Sequence, residues 1–221
     1  ENCYKLDTIE FQDDSIISYI DKNTFYQASI KSFFIPSNVK ELVDGWSNCM
    51  SDLKTVAISL LNKHFKYLDE EHQIIVGKSD INEENFDTII FANRDIKQVT
   101  IPNHIKYIKP HAFENCKELK TIEIQKDSKL VSIGINAFYR SSIENIAIPK
   151  SVTSIKSRAF SFCKQLKSIS FEEGSKLHIF KDSVFFFADE LEKIEVPENS
   201  SLQTICSEAF YFCGIKNFFI P

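Results

Sequence analysis

Residues 112–124 read Ala-Phe-Glu-Asn-Cys-Lys-Glu-Leu-Lys-Thr-Ile-Glu-Ile, and the pattern of this stretch recurs along the chain. Its second half, from Leu119 to Ile124, alternates apolar and polar residues, as a half-buried β-strand does. Its first half begins with Ala112-Phe113, a small residue that allows close approach followed by a large one that fills volume. The stretch therefore predicts one strand and one turn that share a core.

The same frame returns through most of the chain, anchored on an aromatic residue. The anchors are Phe25, Trp46, Phe91, Phe113, Phe138, Phe160, Phe185 and Phe210. Trp46 is the weaker match. The mean period is about 23 residues, inside the range of roughly 20–29 typical of leucine-rich repeats. The interval between Trp46 and Phe91 is long enough for two units, the first degenerate near Tyr67-Leu68. Residues 59–90 are therefore interpreted as degenerate repeats.

A single unit cannot bury its apolar face, whereas a stack of units can. About ten strands at a spacing of roughly 4.8 Å would form a rod on the order of 50 Å long. We expect an α/β-type repeat solenoid rich in β, either a leucine-rich-repeat horseshoe or a curved rod. Its parallel concave sheet would hold about ten strands, and its convex segments would be irregular or short helices. Residues 1–221 would form this single solenoid.

The two ends of the sequence both read as parts of repeats. Cys3 to Phe11 match the second half of a unit, and the chain stops at Ile220-Pro221, where a strand ends. Terminal repeats of solenoids normally carry a polar cap, and neither end has one. We therefore expect a segment of a longer array, with adjacent repeats of the parent chain at both ends.

Composition excludes several classes of protein. The 221 residues carry a formal net charge of −5, with 43% hydrophobic and 26% charged residues. This is a core-forming composition. The mild acidity argues against nonspecific nucleic-acid binding, which requires clustered Lys and Arg to neutralise phosphates. No apolar run approaches the length of a membrane span, so none is predicted in this segment.

The pattern [LIV]-x-x-I-x-x-x-A-F-x-x-C-x-x-L-x-x-I-x-I-P resembles the BspA-like (surface-antigen type) leucine-rich repeat family. The resemblance covers about residues 1–58 and 90–221. Members of this family look like adhesion and interaction modules, often of the cell surface in host-associated bacteria and anaerobic protists. The resemblance implies a curved solenoid that binds a protein partner, for example a host or matrix protein. It brings no catalytic residue to this chain, and it favours a cell-surface or secreted location.

The sequence lacks the common motifs of catalysis and metal binding, which leaves no catalytic residue, metal site or cofactor to predict. His104 and His111 fall on opposite sides of one turn, and we expect both to face solvent. The acidic runs at 13–14, 69–71, 83–84 and 172–173 are interpreted as solvated loops. An enzyme with its site in residues 59–90 is a weaker hypothesis, which a smooth sheet through that stretch would contradict.

The six cysteines are predicted to be thiols and not disulfides. They recur in two columns of the repeat, Cys116 with Cys163, and Cys3 with Cys49 and Cys213. Members of a column lie at least two repeats apart, about 10 Å, which exceeds the limit of roughly 7 Å for a disulfide. We expect these column thiols to be free and buried. Cys206 lies off both columns, and a bond to Cys213 is the alternative.

Alternation along the strand places two columns of side chains on the outer face of the sheet, and a third column follows the first apolar residue of each strand. The first, mostly small or polar, comprises Ser32, Thr55, Gln98, Thr121, Asn145, Ser168, Lys193 and Asn217. The second comprises Phe34, Ala57, Thr100, Glu123, Ala147, Ser170, Glu195 and Phe219. The third comprises Lys31, Lys54, Lys97, Lys120, Glu144, Lys167, Glu192 and Lys216. The lysines could steer an acidic partner, but we favour a role in solubility and in blunting edge pairing.

We predict a non-enzymatic protein-interaction module that acts in cell-surface adhesion or partner recognition through the concave sheet. The partner-binding residues predicted from the columns are Lys97, Thr100, Lys120, Thr121, Glu123, Asn145, Lys167, Ser168, Ser170, Lys193, Glu195 and Phe219. The alternative is an intracellular structural scaffold, for example one associated with the cytoskeleton. Free thiols and the lack of a visible secretion segment favour this alternative.

Overall fold

The computed structural model describes residues 4–80 and 82–220, which contain seventeen strands and no helix. In chain order the strands are β1 (Tyr19–Ile20), β2 (Ser32–Ile35), β3 (Glu41–Leu42), β4 (Thr55–Ile58), β5 (Phe65–Tyr67), β6 (Ile74–Gly77), β7 (Thr88–Ala92), β8 (Gln98–Ile101), β9 (Tyr107–Ile108), β10 (Thr121–Ile124), β11 (Ser132–Ile133), β12 (Asn145–Ile148), β13 (Ser154–Ile155), β14 (Ser168–Phe171), β15 (Ile179–Phe180), β16 (Lys193–Glu195) and β17 (Thr204–Ile205).

Each regular turn of the solenoid contributes one longer strand and one strand of two residues. The longer strands form the long-strand sheet, which consists of the pair β2-β4 and the five strands β8-β10-β12-β14-β16. The two-residue strands, together with β5, β6 and β7, form the short-strand sheet, which consists of β1-β3 and the eight strands β5-β6-β7-β9-β11-β13-β15-β17. Nearly all neighbours are parallel, so the predicted β-rich parallel solenoid is confirmed.

Tight turns stand where short helices were considered on the convex side. Each turn contains two residues with left-handed φ, four positions apart, which flank the anchor. The pairs are Asn23/Gln27, Gly45/Cys49, His111/Asn115, Asn136/Arg140, Arg158/Phe162, Ser183/Phe187 and Glu208/Phe212. A helix is excluded there because it requires right-handed φ at every residue. Successive turns instead hydrogen-bond to one another, as when the Phe138 N–H donates to Ala159 O at 2.8 Å.

The core of the regular part is a ladder of anchor rings. Phe113, Phe138, Phe160 and Phe185 are fully buried. Their ring centroids are separated by 5.0, 5.3 and 5.9 Å, in nearly parallel planes. Phe210 continues the ladder at 5.7 Å from Phe185. Stacking of this kind adds to the hydrophobic stabilisation from burying each ring.

Trp46 does not occupy the anchor position that the repeat suggested. The left-handed residues Gly45 and Cys49 place Ser47 third in the turn, where Phe25 stands in the preceding turn. Trp46 packs one position earlier, with its ring 5.4 Å from Phe33 and 5.6 Å from Phe91. The buried Ser47 therefore leaves the anchor position of this turn without an aromatic ring.

Strands β5, β6 and β7 interrupt the parallel order within the stretch around residues 59–90. Strand β6 is antiparallel to both β5 and β7, and β7 returns to a parallel pairing with β9. All three belong to the short-strand sheet, so the long-strand sheet is broken between β4 and β8. The origin of these residues as degenerate repeats stays a prediction.

Arg94 fills the space at this break and is 4% exposed. Its Nη1 donates to Ala112 O at 3.1 Å, and its Nη2 donates to Ser47 Oγ at 3.3 Å. The guanidinium thus takes the place of the missing anchor ring. It lies between a hydrophobic core that contains Phe91 and another that contains Phe113.

His111 belongs to the same junction, and the expectation that it faces solvent is wrong. It is 8% exposed, and its Nδ1 lies 2.9 Å from Glu114 Oε2. The same carboxylate oxygen accepts the Cys49 N–H at 3.3 Å. This side-chain bridge replaces the backbone bonds that join regular turns. His104, by contrast, is exposed as expected.

Candidate interaction surface

The long-strand sheet presents the predicted outer columns in register from β8 to β16. Thr121 pairs with Gln98 and with Asn145, and Asn145 pairs with Ser168, which pairs with Lys193. In the second column, Glu123 pairs with Thr100, while Ser170 pairs with Ala147 and Glu195. Side chains from five strands therefore form one continuous row on this face, and the second column lies beside it as two paired segments.

Most predicted partner-binding residues are accessible on this face. Those that are exposed are Lys97, Thr100, Lys120, Thr121, Glu123, Asn145, Lys167, Lys193 and Glu195. Ser168 and Ser170 are half-buried. The centre of the face is a shallow depression of about 430 Å³, lined by residues of β10, β12 and β14. Within it, Ser168 Oγ donates to Asn145 Oδ1 at 2.6 Å.

Phe219 is not brought together with these residues. It is 75% exposed and lies after β17, outside the strands of the long-strand sheet. Phe34, at the other end of the same predicted column, is half-buried on β2, across the break from β8. The two aromatic ends of the column therefore do not extend the continuous face.

The lysine column is partly neutralised by acidic neighbours. Lys167 Nζ lies 3.7 Å from Glu144, and Lys97 Nζ lies 4.0 Å from Glu118, all at exposed side chains. Exposed pairs of this kind contribute little to stability. The face therefore carries charges of both signs around a polar centre of Thr, Asn and Ser.

A second aromatic ladder, which the sequence analysis missed, lies outside the core at the turns. Phe162, Phe187 and Phe212 stack with centroid separations of 5.0 and 4.8 Å. Each adopts a left-handed φ, which is uncommon for a bulky residue. The signal was present in the sequence, because each of these residues stands two positions after an anchor. Arg140 lies over Phe162 at 5.5 Å.

The cysteines of the described residues are all unpaired, including Cys206 and Cys213. Cys3 lies outside the described residues. Burial raises the pKa of Cys116 to about 11 and that of Cys163 to about 12. Cys49 and Cys213 are half-exposed, so the expectation of burial is wrong for these two. Burial, and then the Glu114 carboxylate, raises the pKa of Cys49, which disfavours a nucleophilic thiolate.

Metal ligands are not assembled anywhere in residues 4–80 and 82–220, where no group of three or more His, Cys, Asp or Glu side chains could hold an ion. We also find within these residues no helix with the length and apolar character that crossing a membrane requires.

The chain matches a family description and several solved structures. The model for the BspA type leucine rich repeat region matches residues 1–71 and 84–216 in six copies. Comparison with curated proteins gave no match. A leucine-rich repeat protein from Eubacterium ventriosum is similar over 96% of this chain and 66% of its own, at 23% identity and a TM-score of 0.70.

Two further structures share the fold. A leucine rich cell surface protein from Faecalibacterium prausnitzii is 20% identical with a TM-score of 0.61, over 87% of this chain and 54% of its own. The pneumococcal vaccine antigen PcpA is 16% identical with a TM-score of 0.64, over 98% of this chain and 63% of its own. This chain thus spans about half to two thirds of the length of these relatives.

Proposed function

Because the chain belongs to the BspA-type leucine-rich repeat family, we propose that it is a non-enzymatic module that binds a protein partner through the exposed face of its long-strand sheet. The observation that carries this proposal is the polar first column, which is in register from β8 to β16 and mostly exposed. A rigid sheet holds these side chains in place before binding, which reduces the entropy lost on association.

The contact surface would centre on the small polar residues of β10, β12 and β14. Thr121, Asn145 and Ser170 offer hydrogen-bond donors and acceptors without long flexible stems. The lysines at the start of the strands would form a charged rim. Rim charges mainly govern the rate of association and its salt dependence.

We favour cell-surface adhesion as the biological role, with a host or matrix protein as the partner. Two similar structures support this role, since one is described as a cell surface protein and the other as a vaccine antigen. An intracellular scaffold is the second candidate. The free state of Cys49, Cys116, Cys163, Cys206 and Cys213 favours it, because disulfides are common in secreted proteins and rare in the cytosol.

Protease shaving of intact cells that make the full-length parent protein separates these roles. Release of its peptides from unbroken cells is expected for an adhesin, whereas protection until lysis would contradict the adhesion proposal.

A binding assay tests the face itself. Immobilised fibronectin, laminin and collagen would be probed with the wild type and with Ala147→Arg, which places a large charge at the exposed centre of β12. Thr153→Arg is the matched control, at an exposed residue just before β13 in the short-strand sheet. Loss of binding in Ala147→Arg alone is expected. An equal effect of both substitutions, or binding to none of the three, would contradict the proposal that this face binds matrix protein.

A further inference from the structure

We propose that the break between β4 and β8 is a binding site for an extended peptide, which would add to the open edge of β8 as a strand. The preferred peptide would place apolar residues at alternate positions and carry basic side chains. This site is distinct from the exposed face of the long-strand sheet, because it uses main-chain groups at a sheet edge.

The two edges at the break differ. Tyr67 closes the edge of β4, because its hydroxyl accepts the Ile58 N–H at 3.0 Å and donates to Val56 O at 3.1 Å. The Tyr67 ring is held by a stack on His72, with centroids 4.0 Å apart. Strand β8 is also the last strand of its sheet. No backbone or side-chain group of the described residues covers its outer edge in the same way.

The hydrogen bonds between β8 and β10 indicate which main-chain groups of β8 face the break. The Lys120 N–H donates to Lys97 O at 3.0 Å, and the Gln125 N–H donates to Ile101 O at 3.0 Å, both towards β10. Main-chain groups alternate between the two sides of a strand. The N–H and C=O of Gln98 and Thr100 therefore point away from β10, towards the break. Open groups of this kind are the template for strand addition.

The break has the shape of a wedge. At its narrow end, the Arg94 N–H donates to Leu53 O at 3.3 Å, so the segments that lead into β4 and β8 touch. Beyond that point the break opens into a cleft of about 990 Å³, in which the β5-β6 connection forms a wall. The buried residues Ile74, Ile96 and Val99 are among its lining and provide an apolar floor.

The charges of the cleft favour a basic peptide. Its lining holds the carboxylates of Asp69, Glu71, Asp95 and Glu118 against Lys54 and Lys97. Lys97 already faces Glu118 at 4.0 Å. Asp69 Oδ1 accepts the Gln73 N–H at 2.8 Å, and its Oδ2 has no hydrogen-bond partner among the described residues. Three carboxylates therefore face one remaining lysine.

A synthetic peptide that copies residues 31–40, Lys-Ser-Phe-Phe-Ile-Pro-Ser-Asn-Val-Lys, is the probe. In this chain the same residues form β2 and the segment that follows it. The peptide carries two lysines and no acidic residue. In the register of β2 on β4, the amides of Phe33 and Ile35 face the neighbouring strand. A fluorescein-labelled copy N-methylated at these two amides should lose binding, while a copy N-methylated at Phe34 should retain it.

Thr100→Pro removes a main-chain donor at the open edge, a place where proline is tolerated. It should weaken binding of the labelled peptide at least about tenfold in fluorescence anisotropy. Thr100→Ala is the matched control, because it keeps the N–H, and it should bind as the wild type does. Hydrogen exchange of the wild type should show slower exchange of the Gln98 and Thr100 amides when peptide is added, which tests the site without a substitution.

The absence of saturable binding would overturn this proposal, as would equal binding of both N-methylated peptides. Self-association of the wild type that Thr100→Pro abolishes would also overturn it, since a second copy would then be the occupant of this edge. Ala147→Arg lies two strands away on β12 and should leave peptide binding unchanged. This variant therefore distinguishes a failure of the peptide site from a failure of the proposed protein-binding face.

Discussion

Arg94 lies over the ring of Phe91, with Cζ 4.4 Å from the ring centroid. Phe91 belongs to the core of the first turns, whereas the continuous anchor ladder begins at Phe113 in the other core. The guanidinium therefore bridges two cores that no stacked ring connects. A buried cation held by carbonyl and hydroxyl oxygens in this way gives the solenoid a polar joint at its centre.

Arg94→Ala should lower the free energy of unfolding by about 3 kcal/mol, because it removes charged hydrogen bonds and leaves a void. Urea unfolding followed by fluorescence of the single tryptophan, Trp46, measures the change beside the joint. Arg158→Ala, at an exposed arginine, is the control and should have little effect. Equal stability of the two variants would show that the joint contributes nothing.

Phe160→Ala should lower the free energy of unfolding by roughly 3–5 kcal/mol. Its ring is fully buried between Phe138 and Phe185, so truncation leaves a cavity in the ladder. Calorimetry should show a large fall in Tm. The control is Phe212→Ala, which should lower the free energy of unfolding much less because the Phe212 ring is 62% exposed. If Phe160→Ala has the same Tm as the wild type, the interpretation of the anchor rings as a stacked core is wrong.

Tyr67→Phe should destabilise the protein by about 1–2 kcal/mol, because two main-chain groups of β4 lose their partner. Exchange of the Ile58 amide should accelerate, which hydrogen exchange with residue resolution can measure. Tyr139→Phe is the matched control, since its hydroxyl makes no hydrogen bond to the part of the chain that the structure describes. Unchanged exchange at Ile58 would contradict the role of Tyr67 in closing this edge.

The thiols should react with a maleimide or disulfide reagent in two classes. Cys116 and Cys163 are buried with a raised pKa, so they should be protected in the native state at neutral pH. Cys206 and Cys213 are half-exposed and should react first. Peptide mass spectrometry after timed labelling identifies each site, and labelling in urea is the control in which all of them react. Rapid native labelling of Cys163 would argue against its burial.

Stability should fall as the pH drops below about 6.5, through a contribution from His64. Burial, and then the charges of Lys40 and Lys78, lowers the pKa of His64 in the folded state. The unfolded chain therefore takes up this proton first, and protonation favours unfolding. His64→Gln should flatten the dependence of Tm on pH in this range. Lys40→Gln should raise the pKa of His64 in an NMR titration, and an unchanged value would contradict this assignment of cause.

The sequence by itself determined the regular part of the molecule. Its period, the Ala-Phe anchors and the alternation of residues such as Thr121 and Ile122 predicted a parallel stack and the register of its outer columns. This was possible because each turn of a solenoid contacts only its neighbours, so that one repeated pattern specifies every interface. The residues exposed on the face follow from the same alternation, although binding by them stays a prediction.

The tertiary structure alone decided the irregular part. This part depends on contacts between residues far apart in the chain. Examples are the burial of His111, the position of Ser47 and its contact with Arg94, and the hydrogen bond from the Cys49 N–H to Glu114. No local period encodes such contacts, because they form only where the stack is interrupted. The open edge of β8 has the same origin, since a strand becomes an edge when its neighbour is missing, whatever its own sequence.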